Sequence, residues 1–348
     1  MTSGKTAAAE ASDKESASTE GLDASQSRLG AYLSPLSFSA PQYVEQSAWL
    51  DHGPFAFWLI EALKPRSFVE LGTHGGYSYF AFCQAVKAMK LDTQCYAVDH
   101  WKGDEHAGHY DEEIYKRVSS YNESHYASFS RLVRATFDEA VEHFEDGSVD
   151  LLHIDGRHFY DDVVHDYETW RPKLSDRAVV LFHDTNVREQ GFGVFILWAE
   201  LKDKFPSFEF LHGHGLGVLG YGEKLPEGIA EFFATSKNTT ATIEIRQAYS
   251  RLGSAFKAAY EATRTQSHMA DQLAAQLEES KAEAARAYAV EVELTEKVAA
   301  AENLADERYK KAREERQEAL EMLDAQKVWR AALELELEGR ENVIRSLR

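Results

Sequence analysis

Five short apolar, β-prone runs separated by helix-length spacers constrain this chain more than any other feature. They are Ser67-Phe68-Val69-Glu70-Leu71, Gln94-Cys95-Tyr96-Ala97-Val98-Asp99, Arg131-Leu132-Val133-Arg134-Ala135, Asp150-Leu151-Leu152-His153-Ile154-Asp155 and Ala178-Val179-Val180-Leu181-Phe182-His183-Asp184. Spacers such as Tyr77 to Met89 and Val163 to Trp170 are long enough for crossover helices. Strands alternating with helices predict βαβ units, hence an α/β fold with a mostly parallel sheet and helices on both faces. Ligands of such sheets bind beyond the carboxyl ends of the strands, so the residues at those ends are where chemistry is expected.

The rest of the chain divides around this region. Residues 1–35 are small, polar and aperiodic; they bury too little apolar surface to offset ordering entropy and read as disordered. Residues 36–235 hold every tryptophan except Trp329 and 13 of the 14 histidines, and form the candidate catalytic domain. Residues 240–348 contain no proline, only Gly253 and Gly339, and abundant Ala, Glu, Lys, Arg and Leu. Such composition predicts long helices. Leu273, Leu277, Leu294, Val298, Leu320, Leu323, Leu335, Val343 and Leu347 form an imperfect apolar seam, which predicts a coiled-coil-like tail able to associate with a second copy.

A net charge of -20 argues against wrapping nucleic acid, which requires clustered cations. It also argues against docking on an anionic membrane. No apolar run reaches the length of a membrane span, and the first residues lack the apolar core of a signal peptide. Cys83 and Cys95 lie in apolar segments and read as buried thiols. Together these features predict a cytoplasmic protein.

The first strand runs into Glu70-Leu71-Gly72-Thr73-His74-Gly75-Gly76-Tyr77-Ser78. Gly72 allows close approach of a ligand to the backbone, and Gly75 and Gly76 allow a tight turn into a helix. The spacing is neither the G-x-G-x-x-G of a dinucleotide fold nor a P-loop. Glu70 before the first glycine suits a cationic ligand. Asp99, at the end of the second strand, is placed to accept both hydroxyls of a ribose, with His100 and Trp101 beside it to flank an adenine. Asp155 and Asp184 end two further strands and can converge on one hard cation, Mg or Mn, with His183 or Asn186 as additional ligands. His158, three residues beyond Asp155, is a candidate general base for a hydroxyl. The loop from Trp101 to Tyr110 is of the kind that covers a substrate.

Taken together, Val69 to Ser78, Val98 to Gly108, Ile154 to Tyr160 and Phe182 to Thr185 resemble the class I S-adenosylmethionine-dependent methyltransferases. More narrowly, they are similar to a bacterial branch associated with polysaccharide and glycosyltransferase gene clusters. The resemblance covers roughly residues 45–222. It implies a Rossmann-like, seven-stranded sheet whose last strands, Phe208 to His212 and Gly217 to Tyr221, form an antiparallel pair. It implies S-adenosylmethionine as cofactor. Glu70 and Gly72 would lie by its amino-acid and sulfonium end, Asp99 would take the ribose, and Thr136 and Phe137 would lie near the adenine; Thr73, Gly75, Ser78, His100, Trp101 and Asp155 complete the cofactor-binding set. The fold is also similar to the metal-dependent catechol-type O-methyltransferases. Those have Lys at the position of His158 and Asn at that of Thr185.

The expected activity is therefore direct methyl transfer to a hydroxyl of a glycan or other small-molecule acceptor, with divalent-metal assistance as one form of it. The competing reading is a non-catalytic scaffold of a surface-polysaccharide assembly that keeps a methyltransferase-like head. A nucleotide-dependent oxidoreductase is disfavoured by the absent G-x-G-x-x-G.

Overall fold

The strands and helices follow the alternation written in the sequence. The computed structural model describes residues 32–104, 108–109, 112–311 and 316–346. The expectation of disorder for residues 1–35 falls almost entirely outside them. Strands β1 (Ser67–Leu71), β2 (Gln94–Val98), β3 (Ser130–Val133), β4 (Val149–Ile154), β5 (Leu174–His183), β6 (Ser207–Phe210) and β7 (Leu216–Gly220) form one seven-stranded sheet, ordered β3-β2-β1-β4-β5-β7-β6. The first five strands are parallel. β7 runs antiparallel to both β5 and β6, as the resemblance implied. This is a Rossmann-like architecture.

Register decides what meets at the sheet's carboxyl edge. Leu71 pairs with Val98 on one side and with Ile154 on the other, and Ile154 pairs with Phe182. The residues that follow each strand therefore emerge together: Gly72, Asp99, Asp155 and, one step past the end of β5, Asp184. The inner strands are buried on both faces, which accounts for their unbroken apolar runs. Phe68, Leu151, Val179 and Leu181 face a core shared with helices α1 (Gly53–Leu63) and α2 (Tyr77–Met89). Val69, Leu152, Val180 and Phe182 face the opposite core, with Tyr167 and Trp170 of α5 (Tyr160–Trp170) and Trp198 of α6 (Val194–Leu201). Between these lie α3 (Glu112–His125) and the short α4 (Phe137–Val141); α7 (Glu227–Ala234) follows β7. Cys83 and Cys95 are buried free thiols.

Two compact units divide the chain, and the first extends to Tyr260, beyond the boundary at 235 expected from composition. Helix α8 (Thr239–Lys311) begins inside it. Ile245 and Tyr249 belong to the α1/α2 core, and the Tyr249 hydroxyl donates to the Tyr32 carbonyl. Arg246 Nε donates to the Glu209 carbonyl at 2.6 Å. Gly253 is fixed by close packing, since a Cβ there would lie 2.0 Å from the Asp51 carbonyl oxygen. Burying Ile245 and Tyr249 is worth roughly 1.5–3 kcal/mol each. A chain ending at Tyr260 is therefore expected to unfold at the same urea midpoint as the full chain's first unit. One ending at Asn238 should lose several kcal/mol, and equal midpoints would show that the helix start adds nothing.

The second unit holds the rest of α8 and α9 (Arg316–Ser346), with Arg330 and Glu302 paired at 3.1 Å. Leu273, Leu277, Leu323 and Leu335 of the expected seam are exposed. No helix among the described residues is long and apolar enough to cross a membrane.

Candidate active site at the carboxyl edge of the sheet

The glycine turn after β1 is shaped by its neighbours. Gly72 has φ +88°, and a Cβ on it would lie 2.1 Å from the Asp155 carbonyl oxygen. Its requirement is thus contact between the ends of β1 and β4, where the sequence suggested close approach of a ligand. Gly76, at φ +87°, opens α2. The Gly75 carbonyl accepts from the Tyr43 hydroxyl at 2.8 Å, and the Glu45 side chain lies against the same glycine and pairs with Arg117 at 3.0 Å. The segment before α1 therefore packs on the turn, a contact that no local pattern encodes.

Asp99 organises this turn. Its Oδ2 accepts from the backbone N–H groups of Thr73 at 3.0 Å and His74 at 2.8 Å, and its Oδ1 accepts from that of Trp101 at 2.6 Å. A carboxylate offers about four lone-pair sites, so these three bonds leave room for one ribose hydroxyl where two were expected. Trp101 is only 2% exposed, and its indole N–H donates to the His74 carbonyl at 3.0 Å. It packs on Tyr115 and belongs to the core instead of presenting a face to an adenine. His100 is half-exposed, its Nδ1 accepting from the Lys102 N–H at 3.0 Å.

Glu70 is fully buried behind the turn. Its Oε2 meets His153 Nδ1 at 2.9 Å, and His153 Nε2 lies 3.1 Å from the Trp49 indole nitrogen. An indole nitrogen only donates, so His153 Nε2 is the acceptor and Nδ1 carries the proton towards Glu70. Burial holds the Glu70 carboxyl above the ordinary carboxylate range, against the hydrogen bonds of His153 and Ser78. Thr136 caps α4 through reciprocal bonds with Glu139. The Phe137 ring lies where a Cβ on Gly156 would fall, 2.5 Å from its edge, which places it beside the turn after Asp155.

Asp155, His158, His183, Asp184 and His214 form the chemical centre. His158 Nε2 is 2.9 Å from Asp184 Oδ2 and 3.6 Å from Asp155 Oδ1. His183 Nδ1 is 3.2 Å from Asp155 Oδ1 and 3.5 Å from Asp184 Oδ2. His214, largely exposed, reaches Asp184 Oδ1 with Nδ1 at 3.3 Å. Burial would raise both carboxyls, yet the His183 charge and the bonds from His158 and His183 hold each well below the usual range. Burial pulls the His158 imidazole down, but its bonds to Asp155 and Asp184 outweigh burial and raise it to about 9. Asp184 adopts φ +63°, a left-handed conformation that Asp tolerates better than most residues. The Phe192 ring stacks on His158 at 4.5 Å and 9°. His214 and Phe192 went unread in the sequence; the His212-Gly213-His214-Gly215 alternation between β6 and β7 was the available clue to His214.

One ligand atom each from Asp155, His158 and Asp184 lie within 4.8 Å of one another. A hard ion such as Mg²⁺ favours a near-octahedral shell of oxygen, whereas this set pairs two carboxylates with an imidazole. Thr185 is fully buried with its hydroxyl unpartnered among the described residues, and the Asn186 amide nitrogen donates to the Leu211 carbonyl at 3.1 Å. Asp155, Asp184 and His158 would hold a divalent ion, and the imidazole shifts the preference from Mg²⁺ towards Mn²⁺.

Residues 69–185 match the family model of a methyltransferase domain. An uncharacterized protein of Sinorhizobium fredii is 57% identical over 209 residues, 60% of this chain and 23% of that protein. This chain thus spans less than a quarter of the length of the curated relative it matches. A methyltransferase structure from Geobacter sulfurreducens is similar at 13% identity and a TM-score of 0.38, covering 60% of this chain and 89% of that one. An SAH-bound methyltransferase of Podospora anserina is similar at 12% identity and a TM-score of 0.40, covering 62% and 99%.

Proposed function

We propose that this domain transfers the methyl group of S-adenosylmethionine to a hydroxyl of a small acceptor, in the class of sugars and other small alcohols. The observation that carries the reading is the juxtaposition, at one sheet edge, of the Asp99-anchored glycine turn and the His158–Asp184 pair. The buried Thr73 hydroxyl has no partner among the described residues, and it fits a polar group of the cofactor's amino-acid end. Gly72, Thr73, Gly75 and Ser78 would shape that end, with Glu70 supporting from behind, Asp99 would take one ribose hydroxyl, and Phe137 would lie by the adenine. The cofactor supplies an already activated methyl group, so the protein's task is alignment and removal of one proton.

His158 is the proton acceptor in this reading. Asp184 orients its ring through Nε2, and Phe192 fixes the ring plane. Once His158 takes a proton, its positive charge lies 2.9 Å from Asp184 and 3.6 Å from Asp155. Proton uptake therefore ends in the state that the buried charges favour. The glycan class of acceptor draws its support from the motif resemblance, the coiled-coil role of the tail from its exposed seam, and a cytoplasmic location from the two buried free thiols.

Calorimetric titration with S-adenosylmethionine and its demethylated product tests the reading. Micromolar binding is expected, weakened in Asp99→Ala, with thermal unfolding followed in parallel to separate lost affinity from lost fold. Absence of any binding by the folded wild-type protein would overturn it.

A further inference from the structure

Asp166 is a carboxyl that the fold buries and leaves unsatisfied. It lies midway along α5 and is only 7% exposed, yet neither of its oxygens has a hydrogen-bond partner among the described residues. Burial raises the carboxyl to about 7; the neighbouring His165 opposes that rise, and Asp162 and Asp138 add to it. A buried ionisable group without a partner costs stability, and an apolar side chain would fill an inward helix position without that cost. Packing therefore gives no reason for a carboxyl at this place.

The neighbouring residues give one. Asp166 Oδ2 lies 3.2 Å from the point that a Cβ on Gly156 would occupy, and the edge of the Phe137 ring lies 2.5 Å from the same point. Carboxyl and ring thus converge on one bare glycine, in the turn that leaves β4 at the carboxyl edge of the sheet. Any side chain at Gly156 would push the ring aside. Helices α4 and α5, which carry Phe137 and Asp166, are joined beside them by His165 Nε2 and Asp138 Oδ1 at 2.8 Å. Phe137 is only half-buried, so part of its ring stays open. A flat apolar surface bordered by an acceptor that lacks a donor suits a planar heteroaromatic ring with an N–H at its edge.

We propose that Asp166 selects adenine as the base of the cofactor, by accepting a hydrogen bond from its exocyclic amino group. The inference rests on the methyl-transfer reading, which puts the adenine by Phe137 and leaves Asp166 without a role. The exocyclic amino group is the donor that adenine presents, and its ring nitrogens are acceptors. An oxo group in its place, as in hypoxanthine, would set one acceptor against another. Asp166 thus acts on recognition and takes no part in proton or methyl transfer.

The test titrates the full chain calorimetrically with S-adenosylhomocysteine and with S-inosylhomocysteine, in which an oxo group replaces the amino group. Wild type is expected to bind the adenine compound at least about tenfold more tightly, as a hydrogen bond to a charged group warrants. Asp166→Asn, whose side-chain amide can accept or donate, should bind the two compounds equally. Asp166→Leu should lose at least about tenfold in affinity for the adenine compound and none for the inosine compound. Both variants should unfold at the wild-type urea midpoint or above it, since the carboxyl that they remove has no partner in the fold. Equal binding of the two compounds by wild type would overturn the proposal. So would an equal loss for both compounds in Asp166→Leu, or an Asp166→Asn midpoint well below wild type, which would make the carboxyl a structural one. Wild type that binds neither compound overturns the methyl-transfer reading and this inference with it, whereas tight binding without discrimination removes only Asp166.

Discussion

Gly72→Ala is expected to destabilise the first unit by roughly 3 kcal/mol or more and to abolish cofactor binding. Two costs combine. At φ +88° an L side chain is strained, by about 1–2 kcal/mol. The added Cβ would also fall 2.1 Å from the Asp155 carbonyl oxygen and 2.7 Å from its carbon. These are backbone atoms of β4's end and cannot rotate away as a side chain would. The ends of β1 and β4 must separate, and overpacking of this kind typically costs 1–3 kcal/mol. The Asp155 N–H bond to the Leu71 carbonyl at 2.9 Å, which joins these ends, would lengthen first. Asp155 would move with it, so cofactor affinity and the geometry of His158 should be lost together. Gly228→Ala is the control: nothing lies within 4 Å of its Cβ position, and it is in the first turn of α7. Urea denaturation of the two variants should therefore differ by several kcal/mol. Equal midpoints would show that the strand ends are free to part, and that the turn is not held by this contact.

What was legible in the sequence was whatever a short window carries. The strands were readable because parallel strands covered on both faces are unbroken apolar runs, and β1, β2, β4 and β5 end at the acidic or glycine residues that mark the sheet's carboxyl edge. Gathering Gly72, Asp99, Asp155 and Asp184 at one edge followed from topology alone. Partners chosen by tertiary packing were not legible. Trp101 follows Asp99 directly, as an adenine-flanking residue would, yet its left-handed backbone turns the indole into the core under His74. Asp99 reads as a ribose ligand at any strand end, and only the folded turn shows that three backbone N–H groups claim most of it. Trp49 and His153 meet across 104 residues, and no local pattern encodes that contact. The domain boundary was misplaced for a related reason. Helix α8 is continuous through Tyr260, so composition does not change there; only burial does, from Tyr249 inside the core to Leu273 in the open.

His158→Ala is expected to lower turnover by about 10²- to 10⁴-fold, the usual span for a positioned general base, with S-adenosylmethionine affinity unchanged. The pH profile should identify the same group independently. A base must be unprotonated to act, and His158 is raised to about 9 because its bonds to Asp155 and Asp184 outweigh the effect of burial. Below that value the active fraction falls tenfold per pH unit, so kcat/KM should climb with unit slope through neutrality and level off only near pH 9. An ordinary histidine would reach its plateau near 7.5. Removing the nearer carboxylate should move the inflection the other way: Asp184→Asn deprives Nε2 of its 2.9 Å charged partner, the His158 pKa falls, and the plateau begins at lower pH even if its height drops. A structural role for Asp184 would lower the plateau without moving the inflection. A profile already flat above pH 7 in wild type, or full turnover in His158→Ala, would remove His158 from the reaction and leave His214, the exposed imidazole on the opposite oxygen of Asp184, as the group to replace next.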